Sequence, residues 1–457
     1  MSNSVPISGL GKHIRASLVL GLPLIGSNLA QMAVNLTDTI MVGWYGIDEL
    51  AAVTLATSIY FVFFIVGSGF AMAVMPMVAS AEGANDKKQV RRVVRMGLWI
   101  SVLYCAALMP ILWNFESLML MIGQEPKIAA LAQDYMRIAQ WGVFPAILIM
   151  VLKSYLSAVE LPGWVLWATI TGAVANALLN YALIFGNWGA PELGIRGAAI
   201  ASILTQLVTF LVLVTYANFK PQLKDYTLFL RIWRPDWPAF REVARLGWPI
   251  GATMLAEVGL FSATAIMMGW IGTRELATHG IVIQISAMSF MFYLGLANVA
   301  TIRVGRALGQ KDLGGIHSAA AAVTMLQLGT ATCVILVFVL FPQQLIGFFL
   351  DRENENAAAI IAYGSGLMMI AVLFQIVDGL QAIALSVLRG LKDTRVPMLC
   401  AVFSYWMVGM PSSYMLGFLF GFGGYGIWGG LVIGLAMAAL TLIWRYRIML
   451  RRLQIQL

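Results

Sequence analysis

Apolar residues run along this chain in long blocks separated by short polar clusters. Twelve blocks reach the length of about 20 residues that a helix needs to cross a bilayer core. They lie near 17–43, 50–79, 92–115, 131–153, 162–185, 194–218, 243–270, 277–300, 316–341, 358–386, 397–420 and 424–446. The few polar positions inside them recur three or four residues apart, which is the period of a helix and not of a strand. The pattern predicts an all-α membrane protein of twelve transmembrane helices. The segment Met1 to Arg15 is polar, and the apolar block after it is too long for a cleaved signal peptide, so it is expected to stay as the first helix.

The blocks repeat. Shifted by 226 positions, residues 21–86 align with 247–312 without a gap, and 20 of the 66 pairs are identical. Gly21-Leu22-Pro23 meets Gly247-Trp248-Pro249, Glu49-Leu50-Ala51 meets Glu275-Leu276-Ala277, and Asp86 meets Asp312. Later, Gly194-Ile195-Arg196-Gly197 is similar to Gly426-Ile427-Trp428-Gly429 at a shift of 232. The expected organisation is a six-helix N-terminal lobe (1–218), a linker (219–242) and a six-helix C-terminal lobe (243–457). Six spans return each half to the side on which it started. The halves therefore share one orientation, and their pseudo-twofold axis is expected along the membrane normal, an arrangement that suits a binding site between halves and alternating access.

Composition agrees. Sixty per cent of the 457 residues are hydrophobic and only 11% are charged, against roughly 25% charged in soluble domains; mean hydropathy is +0.84. A disordered chain, a secreted disulfide scaffold and a nucleic-acid-binding domain are excluded. The net charge of +8 resolves into an orientation signal. Twenty-four Lys and Arg fall on the side of the two termini and five (Lys127, Arg137, Arg196, Arg274, Arg352) on the other. The excess marks the terminal side, with the linker, as cytoplasmic. Cys105, Cys333 and Cys400 lie in apolar stretches without a C-x-x-C spacing, and His13, His279 and His317 are scattered. Neither set reads as a zinc or redox site. Arg303, Arg306 and Lys311, like Lys87, Lys88, Arg91, Arg92 and Arg95, read as topology determinants.

Three ionisable residues fall well inside spans: Asp38, Glu257 and Asp378. A carboxylate at mid-bilayer costs about 2.5–3.5 kcal/mol even on the gentler insertion scale, so such residues mark ion or substrate paths. No Lys or Arg adjoins them in these spans, which leaves protons, metal cations or a cationic substrate as the expected partners. Asn28, Gln31, Asn35 and Asp38 share one helix face. Asn176 and Asn180, one turn apart, can complete a polar cluster with Asp38. Gln375, Asp378 and Gln381 form a second stripe, and Thr253 precedes Glu257 by one turn. The amides can equally serve as interhelical hydrogen bonds, at about 0.6 kcal/mol each. The acids are not duplicated by the repeat: Glu257 pairs with Gln31, and Asp38 with Thr264. The halves share a scaffold and hold different chemistry. Gln284, Met288 and Met291 are candidates for lining an adaptable cavity.

Together these residues resemble a known family. Pro-Leu-Ile (23–25) with Asn-Leu-Thr-Asp-Thr-Ile-Met-Val-Gly (35–43) is similar to the multidrug and toxic compound extrusion (MATE) transporters, and Glu257 in Met-Leu-Ala-Glu-Val resembles the seventh-helix acid of their NorM-type bacterial branch. Leu388–Thr394 and Asn180-Tyr181…Gly194 also look like family segments, so the likeness covers essentially the whole chain. It implies a multi-pass protein of the bacterial inner membrane that exports cationic or amphipathic compounds in exchange for inward Na⁺ or H⁺. Carried over residue by residue, Asp38, Asn176 and Asn180 match the N-lobe cation or proton site, and Glu257 and Asp378 match the C-lobe cation site. Any bound Na⁺ is expected at these acids. One position departs from the pattern: Phe374 stands where some sodium-coupled members carry a tyrosine, which removes an oxygen and leaves sodium and proton both open.

The expected partners are small cationic or amphipathic drugs and the lipid bilayer, with no nucleic acid, no nucleotide-binding partner and no cofactor other than the coupling ion; a monomer is expected. Two rivals bear on the reading. A flippase for lipid-linked oligosaccharide would need Lys or Arg inside the spans for the pyrophosphate, and the spans present acids. A membrane enzyme would need a catalytic constellation, and no Ser/His or His/Asp set lies in the spans.

Overall fold

The computed structural model describes residues 9–350 and 357–456, and Arg352 lies outside them. Those residues are helical almost throughout, and no strand occurs among them. Among the described residues eleven helical spans are long and apolar enough to cross a membrane: α1 Leu10–Tyr45, α2 Ile47–Gly83, α3 Lys87–Trp113, α4 Pro126–Ala158 (with a 3₁₀ turn at Gln140–Gly142), α5 Pro162–Phe185, α6 Gly194–Phe219, α7 Trp237–Ile271, α8 Thr273–Gly309, α9 Leu313–Leu340, α10 Ala357–Gly390 and α12 Gly423–Gln456. The remaining block, 395–419, is α11. It is helical over its whole length but passes twice into π-helical winding, at Phe403–Gly409 and Met415–Leu419. Every predicted span is a helix. Most helices overrun their apolar block by a turn or more, because intrahelical hydrogen bonding does not stop where hydrophobicity does.

The distribution of polarity is that of a protein whose solvent is lipid. Leu211, Leu336, Leu373, Leu440 and Trp444 are exposed on helix surfaces, while Asn176, Asn180, Gln327, Gln375 and Gln381 are buried. In hydrocarbon an exposed leucine costs nothing, whereas an unsatisfied amide costs several kcal/mol, of the order of 4 or more.

The repeat is literal. A shift of 226 carries α2 (Ile47–Gly83) onto α8 (Thr273–Gly309), and the start of α3 at Lys87 onto the start of α9 at Leu313. The helix starts are capped alike: Asp86 accepts from the Gln89 backbone N–H at 2.9 Å, and Asp312 from that of Gly315 at 2.9 Å. Asn85 and Lys311, just before these caps, both take left-handed backbone angles, with φ of 56° and 58°.

The helices form two compact units: Gly26–Gly251, and the residues up to Ile25 together with those from Ala252 onward. The divisions fall inside α1 and α7, at positions that the 226 shift superposes. In the first unit the early part of α7 lies directly on α2, where a Cβ at Gly69 would meet the backbone of Gly247 and Gly251. In the second unit the early part of α1 lies on α8 in the same manner, where a Cβ at Gly295 would meet the backbone of Ile25. Glycine at these points allows helix backbones to touch, as small residues do in membrane helix pairs.

The linker belongs wholly to the Gly26–Gly251 unit and is tied to the beginning of α3. Arg92 grips Asp236 with two nitrogens, Lys87 donates to Asp225 at 2.7 Å, Arg91 to Thr227 at 2.6 Å, and the Trp99 ring N–H to the Ile232 carbonyl at 2.7 Å. Several of the cations expected to act as topology determinants thus hold the linker as well. In the second unit Arg303 departs further from that expectation. It is buried on α8, where its guanidinium donates to the His13 carbonyl at 3.0 Å and approaches the His13 ring at 2.8 Å, fastening the start of α1.

Candidate functional site

Each unit contains one polar cluster among its apolar helices. In the Gly26–Gly251 unit the helical spacing of α1 and α5 brings the predicted residues together. Asn176 and Asn180, one turn apart on α5, are fully buried. Both donate to the same oxygen of Asp38 on α1, Asn176 Nδ2 at 2.8 Å and Asn180 Nδ2 at 2.6 Å from Oδ1. Asn180 Nδ2 also reaches Asn176 Oδ1 at 3.3 Å, while Asn180 Oδ1 is buried without a partner. One carboxylate oxygen is thus fixed by two amides, leaving Oδ2 and a free amide carbonyl to receive a proton or cation. Of the other polar residues on this face of α1, Gln31 and Asn35 are exposed and Asn28 is half-buried. They extend a polar stripe from Asp38 without joining its hydrogen bonds.

The cluster of the second unit is built on α7, α8, α9, α10 and α11. Asp378 on α10 is buried, and its Oδ1 has no hydrogen-bond partner. It lies within electrostatic reach of Glu257 on α7, so the two predicted acids do share one region. Gln375, one turn before Asp378, is buried with both amide atoms unpartnered. Gln381 donates to the Tyr405 hydroxyl on α11 at 2.6 Å and leaves its carbonyl unpartnered. Thr253 is buried one turn before Glu257. Gln284 and Met288 are exposed on α8, and Met291 is half-buried one turn on, so these three lie along a helix face away from the buried amides.

Sequence reasoning missed three contributors. Arg389 lies buried at the end of α10, close enough to Glu257 for their charges to attract. The expectation that no basic group accompanies the acids is therefore corrected. The signal was its spacing of eleven from Asp378, about three full turns, which returns it to the same face. Gln327 is the sole amide side chain on α9; it is buried with both amide atoms unpartnered, and its amide lies against Gly379. Tyr293 on α8 is fully buried, with an unpartnered hydroxyl within the field of Asp378. Phe374 offers no oxygen: its ring packs against Phe261 and Trp428, with centroids at 6.0 and 5.6 Å.

Fold and site together define a multi-pass helical membrane protein with acid-centred polar clusters in both of its units. The MatE family model matches residues 23–182 and 249–415, one segment in each half of the repeat, and the chain belongs to that family. Among curated proteins it is 50% identical over 440 residues to the "Probable multidrug resistance protein NorM" of Rhizobium meliloti (strain 1021), covering 96% of this chain and 94% of that one. It is 44% identical over 455 residues to the protein of the same name from Agrobacterium fabrum (strain C58 / ATCC 33970), covering 99% and 98%. Among solved structures, "Crystal structure of MATE in complex with MaL6" matches with a TM-score of 0.87 at 22% identity over 97% of each chain. "Outward-facing conformation of a multidrug resistance MATE family transporter of the MOP superfamily" matches with a TM-score of 0.87 at 21% identity over 96% of each. These transporter structures, with twelve helices in two halves, share the fold of this chain.

Proposed function

We propose that the protein is a multidrug efflux transporter of the bacterial inner membrane, with cytoplasmic termini, that exports cationic or amphipathic compounds in exchange for inward Na⁺ or H⁺. The observation that carries this reading is the placing of Asp38 and Asp378: each is an acid inside a membrane helix, held among amides in an otherwise apolar unit. The names of the relatives support the class of substrate. An acid in such a place is stable when something positive accompanies it. A proton or Na⁺ arriving from outside would neutralise the acids and release a cationic drug that competes for the same charge. Alternating access of the two halves would then discharge the ion inward, and the bared carboxylates would favour a new cation. Asp38 with Asn176 and Asn180 serves as one ion site, and Asp378 with Glu257 as the other.

The test is export by the full chain in proteoliposomes under an imposed Na⁺ gradient at equal pH, and separately under a pH gradient without Na⁺. At least one gradient should drive export of a lipophilic cation, and Asp38→Asn and Asp378→Asn should each abolish it. Export that is indifferent to both gradients, or undiminished in both variants, would overturn the reading.

A further inference from the structure

α12 does not stop where its apolar block does. The block closes near 446, and the helix continues to Gln456, about 15 Å further at 1.5 Å per residue. One stripe of it changes character in order along that exit. Leu440, Trp444, Arg447 and Arg451 follow at spacings of four, three and four, which keeps them on one face, and all four are exposed. A leucine within the block, a tryptophan at its edge and two arginines past it are ordered as hydrocarbon, interface and headgroups are ordered in a bilayer. The two arginines are uncommitted. No Asp or Glu follows Asp393 in the chain, and neither Arg447 nor Arg451 has an ion pair among the described residues. Arg445, on another face, shows the contrast: it is largely buried and donates to Asp393 at 2.7 Å. Nor does the repeated scaffold ask for them. The shift of 232 sets Val212, Thr215 and Phe219 of α6 against Trp444, Arg447 and Arg451, and α6 ends at Phe219.

We propose that this end of α12 binds an anionic phospholipid, with Arg447 and Arg451 on the headgroup phosphate, Trp444 at the level of the ester groups and Leu440 along an acyl chain. Guanidinium forks match phosphate oxygens in pairs, and a spacing of four residues sets the two side chains about 6 Å apart along the axis, within reach of one headgroup. Charge chooses the lipid. Two unpaired cations repel the amine of a zwitterionic headgroup and favour one whose phosphate is uncompensated. The apolar half of the stripe chooses lipid over a soluble anion, because a dissolved phosphate gains nothing from the exposed leucine and tryptophan beside it. The site lies outside both acid clusters and needs neither ion coupling nor a particular drug.

The test uses the full chain in nanodiscs of phosphatidylcholine to which phosphatidylglycerol is added, with lipid retention read by native mass spectrometry and stability by melting temperature. The wild type should retain phosphatidylglycerol in preference to phosphatidylcholine and melt higher as it is added, as ligand linkage requires. Arg447→Gln and Arg451→Gln should each weaken retention by about fivefold, and the double variant by about twentyfold or more, as expected for basic residues at an anionic surface. In pure phosphatidylcholine the variants should melt as the wild type does, because neither side chain is ion-paired within the protein. Arg452→Gln removes an exposed arginine one residue off the stripe and should change retention little. Inorganic phosphate should leave the melting temperature unchanged. Undiminished retention in the double variant would overturn the proposal. An equal loss from Arg452→Gln would overturn it in favour of diffuse surface charge, and a phosphate effect matching that of phosphatidylglycerol would overturn it in favour of a soluble anion. Should the double variant fail to fold, the single variants carry the same comparison.

Discussion

The two polar clusters differ in what surrounds the acid, although the helices that carry them descend from one repeated pattern. Around Asp38 the near neighbours are donors: two amide NH₂ groups share one carboxylate oxygen, at 2.8 and 2.6 Å. Around Asp378 no donor is engaged: its Oδ1 is buried and unpartnered, and the same unit holds buried, unpartnered atoms on Gln375, Gln381, Gln327 and Tyr293. A carboxylate already engaged by donors is held in place and has one oxygen to offer. A buried carboxylate with no donor engaged keeps that oxygen open to an incoming ion. Duplication has therefore preserved helix lengths, caps and backbone contacts, while the chemistry of the two units has moved apart, with donors fixing one acid and none engaging the buried oxygen of the other.

The largest expected effect separates the clusters most cleanly. Asp378→Asn should abolish binding of the coupling ion in the second unit, since it removes the carboxylate whose buried Oδ1 has no partner. Asp38→Asn should leave that binding in place while stopping export. Measuring coupling-ion affinity and export on the same two variants checks this; loss of ion binding in both would mean that the clusters act as one. Next in size is Asn180→Leu. It removes a charged hydrogen bond, worth about 1.5–3 kcal/mol, and the single free carbonyl of the first cluster. Export should fall sharply and the melting temperature should drop, with ion affinity of the second unit unchanged.

What could be read beforehand follows from the same division. Spans, repeat and the trio Asp38, Asn176 and Asn180 were legible because helix period alone places residues three or four apart on one face, and the acid of α1 was the evident partner for two buried amides. Arg389 escaped because eleven residues separate it from Asp378 and it closes a span, where a cation reads as an orientation signal. Gln327 escaped because a lone glutamine in an apolar helix has no periodic companion; only the packing of α9 against α10 at Gly379 gives it meaning. Arg303 was read as an orientation signal for a similar reason, since its partner His13 lies 290 positions away. The π-helical winding of α11 leaves hydropathy unchanged, so no apolar pattern could announce it.

A third difference lies outside the spans, where the linker is strapped to α3 by charge. Arg92 holds the Asp236 carboxyl below its ordinary range through hydrogen bonds from its guanidinium, and Lys87 does the same to the exposed Asp225. A carboxyl with a depressed folded value stabilises the docked linker above its ordinary value of 3.8, and the contribution disappears as pH falls through the lower folded value. The strap should therefore be intact from pH 5 upward and loosen only in strong acid, at a pH lower than that at which a free aspartate titrates. Proteolysis at neutral pH provides the check: Asp236→Asn should speed cleavage after Arg231 or Arg234 several-fold, corresponding to about 1 kcal/mol for a partly buried bidentate pair. The second unit, whose α8 fastens the start of α1 through Arg303, should be unaffected.

The smallest effects test where the units should be the same. Asp86 and Asp312 cap α3 and α9 through equal hydrogen bonds of 2.9 Å to the third residue on. Replacing either by alanine should cost about 1 kcal/mol, and the two costs should agree. The residue before each cap should not behave alike. Asn85 and Lys311 both sit in the left-handed region, but asparagine tolerates it through its short polar side chain, whereas lysine bears the full steric penalty of about 1–2 kcal/mol. Lys311→Gly should therefore raise the melting temperature, and Asn85→Gly should change it little. Equal gains from the two glycines would mean that the duplicated turn is strained in the same degree in both units. In that case divergence of the two halves would be confined to the acids, the amides and the residues that touch them.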